Sequence, residues 1–304
     1  MDPIFNIESI TQLNQSLGQA PPKHPLISII DFAGVDFDSL GDVSDQKFTT
    51  SLYSIVLKKL NSGSIKYGRQ HLDFQNGSLF FTAPNQKVNI ERPEFSECEY
   101  NWGIYFHPDL LLGTNLHAKM ASYTFFDYGA DEVLHLSEDE KQNLTDILKS
   151  LDKEIQRPID KHTKKVLCSS LELILNHCER YYDRQFITRE ESNKHIVTTL
   201  NHYLKDYFSS DQAHLEGLPT VKQCAEVVYL SPNYLSDLLK KETGKSTQDL
   251  IHYHVLELAK NQLLNSDHSI SEIAFSLGFQ YPQYFGKLFK NKEGITPTEF
   301  RNMN

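Results

Sequence analysis

Residues 268–301, HSISEIAFSLGFQYPQYFGKLFKNKEGITPTEFR, leave the chain few ways to fold. Ile270, Ile273 and Ala274 recur at helical spacing. Ser269, with Glu272 three residues on, is a capping-box signature for the start of that helix. Gly278 follows in Leu277-Gly278-Phe279, where a left-handed residue ends a helix and turns the chain. Pro282 suits the first turn of a second helix, which carries Phe285, Leu288 and Phe289 inward and stops at Gly294. Thr296-Pro297-Thr298-Glu299 then supplies a cap, a first-turn proline and another capping box for a third. Helix, tight turn, helix is the geometry in which a second helix enters the major groove of DNA. A plain helical hairpin has the same outline, so the outer face has to decide between the two.

Two features favour the DNA reading. The outward positions of the second helix are polar and basic, with Gln283, Lys287 and Lys290, and Lys292 beyond. The pattern also occurs twice. Thr220 with Gln223 repeats the capping box ahead of Ala225, Val228 and Leu230. Ser231-Pro232 opens the next helix, with Leu235, Leu238 and Leu239 inward, Lys240, Lys241 and Lys245 near its end, and Gly244 as its stop. A helix over about 246–265 joins the two units, apolar at Leu250, Ile251, Val255, Leu258, Ala259 and Leu263. Twenty residues at ~1.5 Å each give a rod of roughly 30 Å. That is close to the ~34 Å repeat of major grooves on one face of B-DNA.

Residues 196–304 therefore resemble the DNA-binding domain of the AraC/XylS family of transcriptional regulators. The resemblance rests on Ile273-Ala274, Gly278-Phe279, Tyr284-Phe285, Phe289-Lys290, Gly294, Thr296-Pro297 and Phe300-Arg301, and covers about a third of the chain. Many members carry arginine on the joining helix four residues before the position of Ala259; this chain has Val255 there. The expected contacts in the first unit are Asn233, Ser236, Asp237, Lys240 and Lys241. In the second they are Tyr281, Gln283, Gly286, Lys287 and Lys290. Glutamine pairs with adenine and lysine reaches guanine in the major groove, while lysines at helix ends suit phosphate. Asp237 either accepts from a cytosine amine or repels phosphate.

The charge balance sets a limit. The chain of 304 residues carries a net −10. Residues 196–304 hold 10 Lys+Arg against 12 Asp+Glu, and the remaining 20 and 28 leave −8. Binding must come from a local stripe rather than from general basicity. Double-stranded DNA is the expected partner.

Ahead of this domain, short apolar runs at 26–32, 52–58, 64–74, 79–82, 88–90 and 102–106 alternate with turn signals such as Asn76-Gly77 and Pro84-Asn85. Nine of the fourteen glycines precede residue 135. This predicts a β-barrel or jelly roll over 1–136. Ser137 and Glu140 cap a helix marked by Leu144, Leu148, Leu151 and Ile155, and a second runs from about 161 to 182. The two are expected to dimerise the chain over 137–185, and the charged stretch YYDRQFITREES to link them to a domain at 195–304. The overall expectation is a multidomain α+β chain: a barrel, dimerising helices and an all-α double helix-turn-helix. The family resemblance implies a cupin-like sensor for the first part. Its carriers are Tyr67-Gly68-Arg69, Asp73-Phe74, Ala83-Pro84-Asn85-Gln86 and Phe106-His107-Pro108-Asp109.

Read as one strand, residues 64–74 put Tyr67, Arg69, His71 and Asp73 on one face. Such a face either lines a pocket for a small polar effector or meets solvent as a cross-strand ion pair. The histidines of this region, His24, His71, His107 and His117, lack the close pair a metal cupin needs, so no metal and no cofactor are expected. His252 and His254 stand two apart on a helix and face different ways. Cys98, Cys168, Cys178 and Cys224 show no CxxC spacing and read as structural thiols. There is no GxSxG, P-loop or GxGxxG, no signal peptide and no membrane-length apolar run, so a cytoplasmic chain is expected. The sequence thus reads as a DNA-binding regulator, not an enzyme: a homodimer answering a small-molecule effector, with RNA polymerase as a partner if it activates. The alternative is a cupin-type enzyme with an appended DNA-binding domain.

Overall fold

A computed structural model describes residues 5–35, 47–58, 65–67, 70–72, 77–89, 102–129 and 132–303. They fall into two compact units, Met1–Ile187 and Thr188–Asn304.

The first unit is built on an antiparallel sheet of β2 (Ile27–Asp31), β4 (Tyr53–Lys58), β7 (Ser78–Thr82), β9 (Trp102–Phe106) and β10 (Leu134–His135). Their order is β10-β7-β4-β9-β2. The central strand β4 pairs Ile55 with Phe81 on one side and with Ile104 on the other. Ser54 through Leu57 are all buried, because the sheet is covered on both faces. Val56 joins Ile30, Phe32 and Leu52 under α1 (Ile10–Ser16), whose Ile10 and Leu13 complete that cluster. On the other face Tyr53 stacks on Phe106, and Phe81 meets Phe125, Phe126 and Tyr182. Two smaller sheets accompany it. One orders β1 (Phe5–Ile7), β3 (Lys47–Thr50) and β8 (Lys87–Asn89); the other pairs β5 (Ile65–Tyr67) with β6 (Gln70–Leu72). The N-terminal region is thus β-rich, and no closed barrel is seen among the described residues.

Two sequence expectations change here. Residues 64–74 are not one strand. β5 and β6 form a hairpin with Lys66 opposite His71 and Tyr67 opposite Gln70. The alternation passed over Gly68, a turn former between the two runs. One face for Tyr67, Arg69, His71 and Asp73 requires a continuous strand, which the β5–β6 pairing does not provide. Arg69 and Asp73 lie outside the described residues, as do the side chains of Tyr67 and His71.

The second change concerns the expected link. A short α2 (Asn115–Lys119) and the capped α3 (Glu138–Ile155) precede α4, which runs over Thr163–Thr188, well past residue 182. Its last turns are held by tertiary bonds. Gln185 accepts from the His135 amide at 2.8 Å and donates to the Val133 carbonyl at 3.1 Å. Tyr182 donates to the Glu132 carbonyl at 3.0 Å, and Arg184 forks onto Glu140 at 3.0 and 2.6 Å. Local charge said linker; burial of Tyr181, Tyr182, Gln185 and Phe186 at helical spacing decided for helix. On the outer side of α4, Val166 and Leu173 are 41% and 46% exposed, seven residues apart.

The second unit is all helix. It comprises α5 (Glu190–Ser209), α6 (Gln212–Glu216), α7 (Val221–Val227), α8 (Pro232–Thr243), α9 (Thr247–Asn265), α10 (Ile270–Ser276), α11 (Pro282–Glu293) and α12 (Pro297–Asn302). The joining helix α9 buries Leu250, Ile251, Val255, Leu256, Ala259 and Leu263 around its circumference, because it packs against helices of both halves. Val255 is fully buried, so that position presents nothing to a phosphate.

Candidate nucleic-acid interface

The two helix-turn-helix units share their capping boxes, turn closures and glycine stops, but Ser231 caps α8 through its side chain while Tyr281 makes no such bond on α11. Thr220 caps α7 and Ser269 caps α10, each with a complete capping box. The Leu230 amide closes the first turn on the Ala225 carbonyl at 3.0 Å; the Phe279 amide closes the second on Ala274 at 3.0 Å. Each second helix starts on proline and ends on a left-handed glycine, Gly244 or Gly294, whose amide bonds a lysine carbonyl four residues back. The turns differ at one place. Gly278 has φ +91°, and a Cβ there would lie 2.5 Å from the Ala213 carbonyl oxygen. The matching Tyr229 has φ +57° with its ring 94% exposed, so space permits a side chain that the backbone disfavours.

On α11 the residues Gln283, Lys287 and Lys290 are exposed along one stripe, with Tyr281 before them and Gly286 half-buried at the flank. Tyr284 and Asn291 widen the stripe. Neither is among the contacts expected from the sequence, although both stand at helical spacing from Lys287. Tyr281 and Tyr284 touch edge to face, with ring centroids 5.6 Å apart. This second stripe contains no carboxylate.

The first stripe is more occupied. Lys240 and Lys241 on α8 are exposed and Asn233 half-buried. The Asp237 side chain is 19% exposed and lies 3.4 Å from Lys240. Ser236 departs from expectation. Its hydroxyl lies 3.0 Å from that of Thr247, which is fully buried, so it spans α8 and α9 instead of pointing outward. Tyr234 is 1% exposed, with Arg189 against its hydroxyl at 3.4 Å, because α5 packs across this helix. Tyr284, fifty residues on, has no such cover.

Ion pairs fasten the end of α11 to α9. Lys292 meets Asp249 at 2.8 Å, and Lys260 meets both Glu293 and Glu257 at 3.0 and 2.9 Å. The hydrogen bonds from Lys292 and Ser246 hold the Asp249 carboxyl down at about 2. At the far end of α9, Arg301 donates to the Leu263 and His268 carbonyls at 3.2 and 2.7 Å. A rod of 19 residues spans about 28 Å at ~1.5 Å per residue, the scale of one DNA turn.

The alternative chemistries find little here. His252 bonds Gln248 and His254 bonds Asn201, both at 2.9 Å, and burial lowers the pKa of each ring. Cys224 is buried, which pushes its thiol up to about 12, away from nucleophilic use. Among the described residues no group of three or more His, Cys, Asp or Glu is arranged to hold a metal. No described helix is long and apolar enough to cross a membrane.

Residues 224–303 match the family described as Helix-turn-helix domain. The chain is similar to YijO of Escherichia coli, an uncharacterised HTH-type transcriptional regulator, with 29% identity over 155 residues that make up 51% of each chain. It is similar to the regulatory protein PocR of Salmonella typhimurium, with 37% identity over 89 residues, 29% of each chain. Among solved structures it resembles the C-terminal domain of the two-component response regulator yesN from Fusobacterium nucleatum. That match has 30% identity and a TM-score of 0.30, and covers 34% of this chain and 93% of that one. The matched region is about half the length of the Escherichia coli relative. These relatives are named as regulators, not enzymes. Residues 224–303 of this chain thus match a helix-turn-helix domain, and the relatives that share this region are named as regulators.

Proposed function

We propose that the chain is a sequence-specific transcriptional regulator that binds double-stranded DNA through both helix-turn-helix units. The observation that carries this is the pairing of two capped units on one rod, each with a polar stripe on its second helix. In the second unit Gln283 and Lys287 read base edges, with Tyr281 and Gly286 beside them, and Lys290 contacts phosphate. In the first, Asn233 and Asp237 face the groove, and Lys240 and Lys241 serve phosphate. Ser236 contributes by fixing α8 on α9.

The same reading makes residues 1–136 a cupin-like sensor for a small-molecule effector, with Tyr67, Arg69, His71 and Asp73 as the first residues to test for effector binding. It takes residues 1–136, 137–185 and 195–304 as sensor, dimerising segment and DNA-binding domain. It makes the chain a cytoplasmic homodimer that touches RNA polymerase if it activates. The outer stripe of Val166 and Leu173 on α4 supports the dimer. Footprinting of the full-length protein on genomic fragments tests the central claim. Protection of two adjacent major-groove segments one turn apart is expected; uniform weak retention of all fragments, abolished by modest salt, would overturn it.

A further inference from the structure

Gly286 sits in the interior of α11, where glycine is a poor choice. The fold does not demand it. Gly286 is not among the glycines with positive φ, and a Cβ there would meet nothing within 4 Å. Gly103 and Gly278 are different, with atoms at 2.8 and 2.5 Å from such a Cβ. The matching position on α8 carries a side chain, Ser236, so this place in a second helix accepts one. What glycine creates is local relief. Gln283, Lys287 and Lys290 are exposed on the same helix, and Gly286 stands half-buried at the edge of their stripe, where the missing side chain leaves a notch one residue wide beside them. Glycine is used where backbone must approach a ligand closely. In the major groove the apolar group that a base presents at this scale is the 5-methyl of thymine.

We infer that Gly286 seats the 5-methyl group of a thymine next to the base pair read by Gln283, making it a specificity-determining residue. This rests on the DNA-binding reading of α11. Gln283 suits adenine, so the two together select adjacent A·T pairs. The contact is apolar and short-ranged, and it depends on the absent side chain.

The test uses the full-length protein and a fragment recovered by footprinting. Each thymine under the second unit is replaced singly by deoxyuridine, which removes only the methyl. One position should cost the wild-type protein about fourfold in affinity, the scale of one buried methyl. Gly286→Ala puts a Cβ into the notch. It should erase that preference while raising the thermal midpoint, since alanine is the better helix former. A flat scan in the wild type, or a scan that Gly286→Ala leaves unchanged, overturns the notch. If the wild type selects no fragment at all, the DNA-binding reading fails and the notch with it; a selective wild type with a flat scan sinks the notch alone.

Discussion

Gly278→Ala and Gly244→Ala form a matched pair that separates backbone strain from steric contact. Both glycines have positive φ, +91° and +73°. An alanine at either costs about 1–2 kcal/mol for the left-handed conformation alone. At Gly244 nothing lies within 4 Å of the new Cβ, so the cost ends there. At Gly278 the Cβ would sit 2.5 Å from the Ala213 oxygen and 2.9 Å from the Gly217 carbonyl carbon, both backbone. Neither can swing aside as a side-chain tip would, so α6 and the turn must shift, adding about 1–3 kcal/mol as in other overpacked sites. The sum of about 2–5 kcal/mol is a large part of the ~5–15 kcal/mol that holds a typical domain. Gly278→Val, with two further carbons, should abolish DNA binding outright.

The chain supplies its own control for this measurement. Its single tryptophan, Trp102, lies in β9 of the first unit, whereas the second unit is all helix. Urea unfolding followed by tryptophan fluorescence reports on the first unit, and far-UV circular dichroism weights the second. Gly278→Ala should lower the helical midpoint clearly more than Gly244→Ala and leave the fluorescence midpoint in place. Equal helical midpoints for the two variants would mean that the turn does not press on α6 as described.

Other outcomes follow from particular contacts. The folded-state pKa of Asp249 is depressed, so its contribution to stability is present above the ordinary carboxylate pKa and is lost as pH falls towards about 2. Asp249→Asn should therefore be less stable near neutrality by under ~1 kcal/mol, because the pair is exposed, and the gap should close as pH falls from about 4 to about 2. A gap that stays constant with pH would remove the ion pair as its cause. On α4, Leu173→Glu places a charge in the outer apolar stripe and should turn the expected dimer into a monomer in sedimentation; a persistent dimer would put the interface elsewhere.

Local chemistry was readable from sequence and long-range cover was not. Capping boxes at Ser137, Thr220, Ser269 and Thr296 span four residues each and appear where they were expected, as do the glycine stops at 244 and 294. Each depends on its own neighbours in the chain. The end of α4 depends on β10, which lies some fifty residues earlier, and its charged residues gave the opposite signal. The direction of Ser236 depends on Thr247, and the burial of Tyr234 on α5. The hairpin at 65–72 was missed because two runs of three residues can be laid end to end as one alternating strand.

The two reading helices share a plan but not an environment, and that sets how each side chain should respond to removal. Lys287 stands exposed on a stripe without acids, so Lys287→Ala deletes a cation from the reading face. Loss of a base-reading side chain costs about 1–3 kcal/mol and relaxes preference at its base pair. Asp237 occupies the matching place on α8, but its carboxylate is mostly covered and paired with Lys240 at 3.4 Å. Removing it takes a negative charge away from the phosphates and releases Lys240 to meet them. Asp237→Ala should therefore leave specific affinity nearly unchanged or raise it, and should raise affinity for scrambled DNA more, with a steeper dependence on salt. Gel shifts of both variants on specific and scrambled fragments at two salt concentrations decide the matter. A larger loss of specific affinity from Asp237→Ala than from Lys287→Ala would make the acid a direct reader of cytosine and reverse the ranking of the two units.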